Sequence, residues 1–151
     1  SNSNSMLLKA SDIKIIYPKL KESDPNCIVP TTSTSFVDTG MTATITPKSS
    51  SSKILVTADF GVGAGNSSNG AVTALVRGST VLCYRGDADS GAGNSYGADA
   101  WFHLDSPATT SATTYKVQLL SQGSSTTCYV NPEYSGFTSP TAHITLMEIA
   151  G

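Results

Sequence analysis

The sequence predicts an all-β fold, an antiparallel β-sandwich of the jelly-roll kind, on three observations. The 151 residues include 23 Ser, 19 Thr and 13 Gly, types that favour strands, caps and turns over helix interiors. From Phe36 onward, short apolar or alternating runs recur every eight to fifteen residues between Gly, Ser, Asn and Pro turns, the spacing of sandwiches and jelly rolls. No segment holds a 3.6-residue period over the roughly ten residues that a helix needs.

The length suits one domain with a short appendage. A domain of this size buries roughly two-thirds of its unfolded surface and needs no metal or disulfide to hold a core. The chain divides near residue 35. Residues 1–35 hold four of the nine basic residues and Pro18, Pro25 and Pro30, and read as an N-terminal arm or connector. Residues 36–151 read as the sandwich.

The elements follow in order. Ile13 to Tyr17 is a short strand stopped by Pro18, which has no N–H to extend a ladder. Phe36 to Thr39 is a strand broken at Gly40. Thr42 to Thr46 alternates and stops at Pro47, and Lys48 to Ser52 is a turn. Lys53 to Phe60 is the strongest strand, and its apolar centre predicts burial on both faces. Gly61 to Gly70 is a glycine-rich loop. Ala71 to Arg77 and Thr80 to Tyr84 flank Gly78-Ser79, the two-residue signal of a type II′ hairpin. Gly86 to Gly97 is a second long polar loop. Ala100 to Asp105 is a strand, and Ser106-Pro107 turns the chain. Ser111 to Leu120 puts Tyr115, Val117 and Leu119 on one face. Gln122 to Ser125 turns into a strand over Thr126 to Val130. Asn131 to Pro140 is loop, and His143 to Ile149 is the closing strand.

Composition excludes several function classes. Only 13% of residues are charged and the formal net charge is −2, with Lys and Arg dispersed, so no nucleic-acid footprint exists. No apolar run approaches the roughly 20 residues of a membrane helix, so no membrane insertion is expected. Ser1 to Ser5 lacks the basic-then-apolar order of a signal peptide. Cys27, Cys83 and Cys128 are odd in number and form no C-x-x-C. They argue against a disulfide framework or a zinc site, and for a reducing place of synthesis. Cys83 and Cys128 read as small apolar strand residues.

The catalytic motifs are incomplete. Gly93-Asn94-Ser95-Tyr96-Gly97 matches G-x-S-x-G but has no following helix to make a nucleophile elbow. His103 and Asp105 share a strand face, while Ser106 begins a turn, so no triad converges. Asp87-Ala88-Asp89 begins like a calcium loop, yet position five is Gly91 and position twelve is Ala98, which fails the pattern. A looser oxygen site would use Asp87, Asp89 and Asp99. An enzyme would have to rest on Asp87, Asp99, His103 or Asp105. The expectation is no enzyme, no catalytic residues, no metal and no cofactor. Aromatic residues at loop ends, with Asn and Asp nearby, suit stacking on sugars and bonding their hydroxyls.

One set of stretches stands out. Phe36-Val37-Asp38-Thr39-Gly40 and Ala43 to Val56, then Leu75 to Thr80, Leu104 to Gln118 and Ile144 to Ala150, together resemble tail-fibre and appendage proteins of tailed bacteriophages. The resemblance covers roughly residues 35–151 and rests on framework strands and turns. It implies a C-terminal receptor-binding tip, a homotrimeric jelly roll similar to the tumour necrosis factor and C1q type. The implied place is the virion, after synthesis in the host cytoplasm. The implied partners are a bacterial surface glycan or protein and other virion fibre or tail proteins. The competing expectation is a structural virion module, for trimerisation or capping, without receptor affinity. The variable loops fall between the resembling stretches, so the receptor-binding candidates are Asn66, Asn69, Tyr84, Asp87, Asp89, Asn94, Tyr96 and Trp101. The trimer-interface candidates are Ile144, Leu146, Met147 and Ile149 of the closing strand.

Overall fold

A computed structural model describes residues 13–14, 31–65, 69–86, 95–130 and 142–150. They form nine strands and no helix: β1 Ile13–Lys14, β2 Val37–Ile45, β3 Lys53–Ala64, β4 Ala71–Arg77, β5 Thr80–Gly86, β6 Ser95–Asp105, β7 Thr113–Ser121, β8 Cys128–Val130 and β9 His143–Ile149. Two antiparallel sheets result. The first has the order β1-β9-β3-β6, with β8 also paired to β3, and the second has the order β2-β7-β4-β5. The pairings are nested: β4 with β5, β3 with β6, β2 with β7 and β1 with β9.

Alternation builds the core. On β3, Ile54, Val56, Ala58, Phe60 and Val62 face inward. They meet Ile144 and Leu146 of β9 and, from the second sheet, Met41, Ala43, Ile45, Leu75, Tyr115, Val117 and Leu119. Tyr115, Val117 and Leu119 share one buried face, as their spacing predicts. A period of two puts every second residue on one face. The same alternation leaves Leu55 and Thr57 only half-buried on the outer face. The expected burial of β3 on both faces is therefore not met within one chain.

Several boundaries differ from the sequence reading. Gly40 does not end a strand. It takes φ +83° at a register shift between Asp38 and Thr42, and β2 runs through it. Thr39 holds this irregularity: its hydroxyl donates to the Val117 carbonyl at 2.8 Å and accepts from the Met41 N–H at 3.2 Å. Gly61 to Ala64, expected as loop, continues β3, because β6 and β8 flank it and pair its backbone. For the same reason β6 begins at Ser95 rather than Ala100. The Gly78-Ser79 hairpin is as expected. Gly78 has φ +58°, and Ser79 is not in the positive region, the pattern of a type II′ turn.

The register fixes two ends. At one lie the end of β3, the start of β4, the end of β5, the start of β6, the end of β7 and the start of β8. Gly65, Asn69, Gly70, Gly86, Ser95 and the segment 122–127 lie at this end. The other end carries the short Gly78 hairpin and the turn before β3, where the Lys48 N–H donates to Glu148 Oε1 at 2.7 Å.

Candidate functional site

The β6 sequence reads apolar outward and polar inward, the reverse of an ordinary half-buried strand. Asp99, Trp101, His103 and Asp105 face the second sheet, while Ala98, Ala100, Phe102 and Leu104 face out. β6 and β5 are the edge strands of their sheets, and the inward polar row of β6 meets polar groups from β4 and β5. Asp99 Oδ2 accepts from the Thr73 hydroxyl at 2.6 Å, and its Oδ1 lies 3.3 Å from Arg85 Nη1. The Arg85 guanidinium sits 5.0 Å from the Trp101 ring centroid, a cation–π distance. Cys83 Sγ is 3.8 Å from His103 Nδ1. Arg77 Nη1 donates to both oxygens of Asp105 at 2.8 Å, and the Tyr115 hydroxyl donates to Asp105 Oδ2 at 2.6 Å. These contacts seam the sandwich along one side.

Burial and Asp105 raise the Tyr115 hydroxyl pKa well above its ordinary range, and desolvation pushes the Cys83 thiol up as well. A raised thiol pKa means less thiolate, so Cys83 is a poor nucleophile. Cys128 is fully buried, its thiol 3.6 Å from the Gly70 carbonyl. Cys27 lies outside the described residues.

At the loop end the seam opens into a cavity of about 190 Å³ lined by Val62, Ala71, Thr73, Arg85, Gly86, Ala98 and Asp99. The neighbouring segments are pinned to each other. Gly65 N–H donates to the Thr127 carbonyl at 2.7 Å and Gln122 N–H to the Gly70 carbonyl at 3.0 Å, while Gly70 N–H donates to Gln122 Oε1 at 3.2 Å. The Asn69 side chain packs on Gly123, where a Cβ would come within 2.5 Å of it.

The sequence-derived receptor candidates do not gather in one place. Asn69 is half-buried against Gly123 at the loop end. Tyr84 is 70% exposed but lies on the outer face of the second sheet, opposite Ala74. Trp101 requires a correction. It is 4% exposed and belongs to the core, because it occupies an inward position of β6 and Arg85 covers it. Asn66, Asp87, Asp89, Asn94 and the side chain of Tyr96 lie outside the described residues. Asp99, the described member of the proposed oxygen site, is engaged by Thr73 and Arg85. No group of three or more metal-ligating side chains occurs among the described residues.

The interface candidates also divide. Ile144 and Leu146 are fully buried inside one chain, so they are not free to line a contact between copies, and that expectation is corrected. Met147 and Ile149 are half-buried on the opposite, outer face. There they join a surface that the sequence reading missed. Leu104, Leu55, Met147 and Ile13 occupy one register row across β6, β3, β9 and β1. Phe102 lies one row further, 78% exposed, and Leu104 is 49% exposed. The outer face of the second sheet is different in kind. There Asp38 takes contacts of 2.8 Å from Lys116 and 2.6 Å from Gln118, and the Thr44 and Thr114 hydroxyls bond each other at 2.8 Å. The exposed apolar residues of this face, Tyr84 and Val81, lie on the edge strand β5. The signal for both β6 features was in the sequence: a D-x-W-x-H-x-D row alternating with A-x-A-x-F-x-L.

No protein-family model matches the chain, and no curated protein matches it.

Proposed function

We propose that this chain is the tip domain of a viral fibre or appendage, working as a homotrimeric adhesin on a bacterial surface. The observation that carries the reading is the nested strand pairing, with the strand ends that flank residues 66–68 and 87–94 on one side of the fold. Nested pairs β1–β9, β2–β7, β3–β6 and β4–β5, distributed over two sheets, describe one long hairpin rolled into a barrel-like sandwich. We read this as the jelly roll that the resemblance implies. Variable segments carried on such a rigid scaffold are the usual seat of recognition.

The trimer reading is supported by the apolar row on the outer face of the first sheet. A surface carrying Phe102, Leu104, Leu55, Met147 and Ile149 is of the kind that marks a protein contact, and a copy of this chain is the occupant we assign to it. Lys53 and Asp59 are the charged residues of β3 on this face, and they flank Leu55 and Thr57. Between them β3 presents no charge to a partner. Three tips on one closed assembly multiply weak single-site binding into avidity.

The test is binding of the fluorescently labelled domain to a panel of bacterial cells, with the 65–70 and 87–94 segments replaced by unrelated sequence in a second protein. The adhesin reading expects saturable binding to some strains and its loss on replacement. Absence of binding to every strain, from a protein that is still trimeric, would favour the structural virion module.

A further inference from the structure

We infer that the cavity between β3, β4, β5 and β6 at the loop end is a subsite for one neutral pyranose ring, held by Asp99, Arg85 and Thr73. The inference rests on the reading of the chain as a surface-recognition domain and names the chemistry that would be recognised.

The size is the first argument. About 190 Å³ equals about six waters of liquid volume, which suits a single ring rather than an extended oligosaccharide. The lining is the second. Val62 and Ala71 offer small apolar walls for the C–H face of a sugar, and Asp99, Arg85 and Thr73 converge as polar groups. Few convergent polar groups in an apolar concavity are the usual form of a small-ligand site. The Asp99 carboxylate has room for about four hydrogen bonds, and Thr73 and Arg85 supply two of them. The remaining positions can accept from a pair of vicinal hydroxyls. Arg85 engages Asp99 through one nitrogen, and its fork has further N–H groups to donate.

The third argument is charge. Arg85 and Asp99 cancel within the cavity, so neither an acidic nor an amino sugar gains over a neutral one. The fourth is an unpaired donor close by. Trp101 Nε1, two residues from Asp99 on the same side of β6, is buried without a hydrogen-bond partner among the described residues. A sugar hydroxyl has an oxygen that can accept from such a group. Other concavities are less suited: that bounded by Asp59, Phe102 and His143 lies on the face assigned to association.

The chain contains one tryptophan, and Arg85 rests on its ring, so Trp101 emission reports on the site. The experiment titrates the neutral sugars galactose, glucose, mannose and N-acetylglucosamine separately into the full chain, with glucuronate as the charged comparison. It follows Trp101 fluorescence and saturation-transfer NMR of each sugar. At least one sugar is expected to give a saturable response in the millimolar range. Asp99→Asn should weaken it by about tenfold or more. Arg85→Met should weaken it too, because Arg85 lines the cavity beside Asp99 while its side chain is 58% exposed, so the fold does not depend on its charge. Thermal melts of both variants establish that they fold, and if Asp99→Asn does not, Arg85→Met decides. Three results would overturn the subsite: no saturable response to any of the four sugars, a response unchanged in the folded variants, or tighter binding of glucuronate than of glucose. Cell binding without a sugar response removes the subsite and leaves the adhesin reading. An Asp99-dependent sugar response without cell binding does the reverse.

Discussion

The Tyr115 hydroxyl donates a 2.6 Å hydrogen bond to Asp105 Oδ2, tying the centre of the second sheet to the edge strand of the first. Arg77 holds the same carboxylate from the other side at 2.8 Å. Asp105 is 7% exposed and Tyr115 is fully buried, so the contact is shielded from water. Tyr115→Phe keeps the packing and removes one hydrogen bond to a charged acceptor, which should cost about 2 kcal/mol. Asp105→Ala strands both Tyr115 and Arg77 and should cost more, about 3 kcal/mol. Urea denaturation of the two variants measures both, and equal losses would contradict the shared role of Asp105.

The same pair sets an alkaline limit. Desolvation, and then the Asp105 carboxylate, raise the Tyr115 pKa above its ordinary 10.0. The folded chain therefore keeps this proton at a pH where the unfolded chain has released it. The stabilisation is complete below about pH 10 and declines as pH rises from there toward the folded value. Urea midpoints taken between about pH 9 and pH 11 should fall faster in the native protein than in Tyr115→Phe. Parallel curves would remove Tyr115 as the cause.

Asp38 works in the opposite sense. Hydrogen bonds from Lys116 and Gln118 hold its pKa below the ordinary 3.8, against a smaller opposing effect of burial. Its contribution is present above the unfolded pKa and is lost as pH falls through the folded one. The carboxylate is 57% exposed, so the effect on stability is small and weakens with salt. Lys116→Met should move the Asp38 carboxyl titration, followed by NMR, upward toward 3.8. A titration that stays in place would show the ion pair to be idle.

Gly123 and Asn69 form a testable couple at the end where β3 stops and β4 starts. A Cβ at Gly123 would lie 2.5 Å from the Asn69 side chain, so Gly123→Ala forces that side chain out of place. A loss of about 1 kcal/mol or more is expected. Asn69→Ala should restore most of it, giving a coupling that a double-mutant cycle reads directly. Additive losses would mean that the strain lies in the backbone.

The strand pattern was legible because alternation and turn residues are local signals. Lys53–Phe60, Ala71–Arg77 and His143–Ile149 each read correctly, as did the face shared by Tyr115, Val117 and Leu119. Gly40 and Gly61 misled, since glycine marks a turn in isolation and pairs as strand when neighbours flank it. Trp101 read as a loop-end aromatic because the start of β6 at Ser95, six residues earlier, depends on pairing with β3 across the sheet. Ile144 and Leu146 read as interface residues on their apolarity alone. Which face of β9 is the core follows from β3 alongside it, a long-range fact. The Arg85–Asp99–Thr73 cluster joins three strands separated in sequence and had no local signature.

The most direct test of the tip reading is the solution mass, by light scattering, of the native chain and of Phe102→Glu. The variant places a charge at the most exposed point of the apolar face without touching the core. The account predicts a native species of about 47 kDa, three times the 15.6 kDa chain, and a folded variant at the mass of one chain. A native monomer would contradict the trimer, and a variant that stays at about 47 kDa would contradict the face assigned to it.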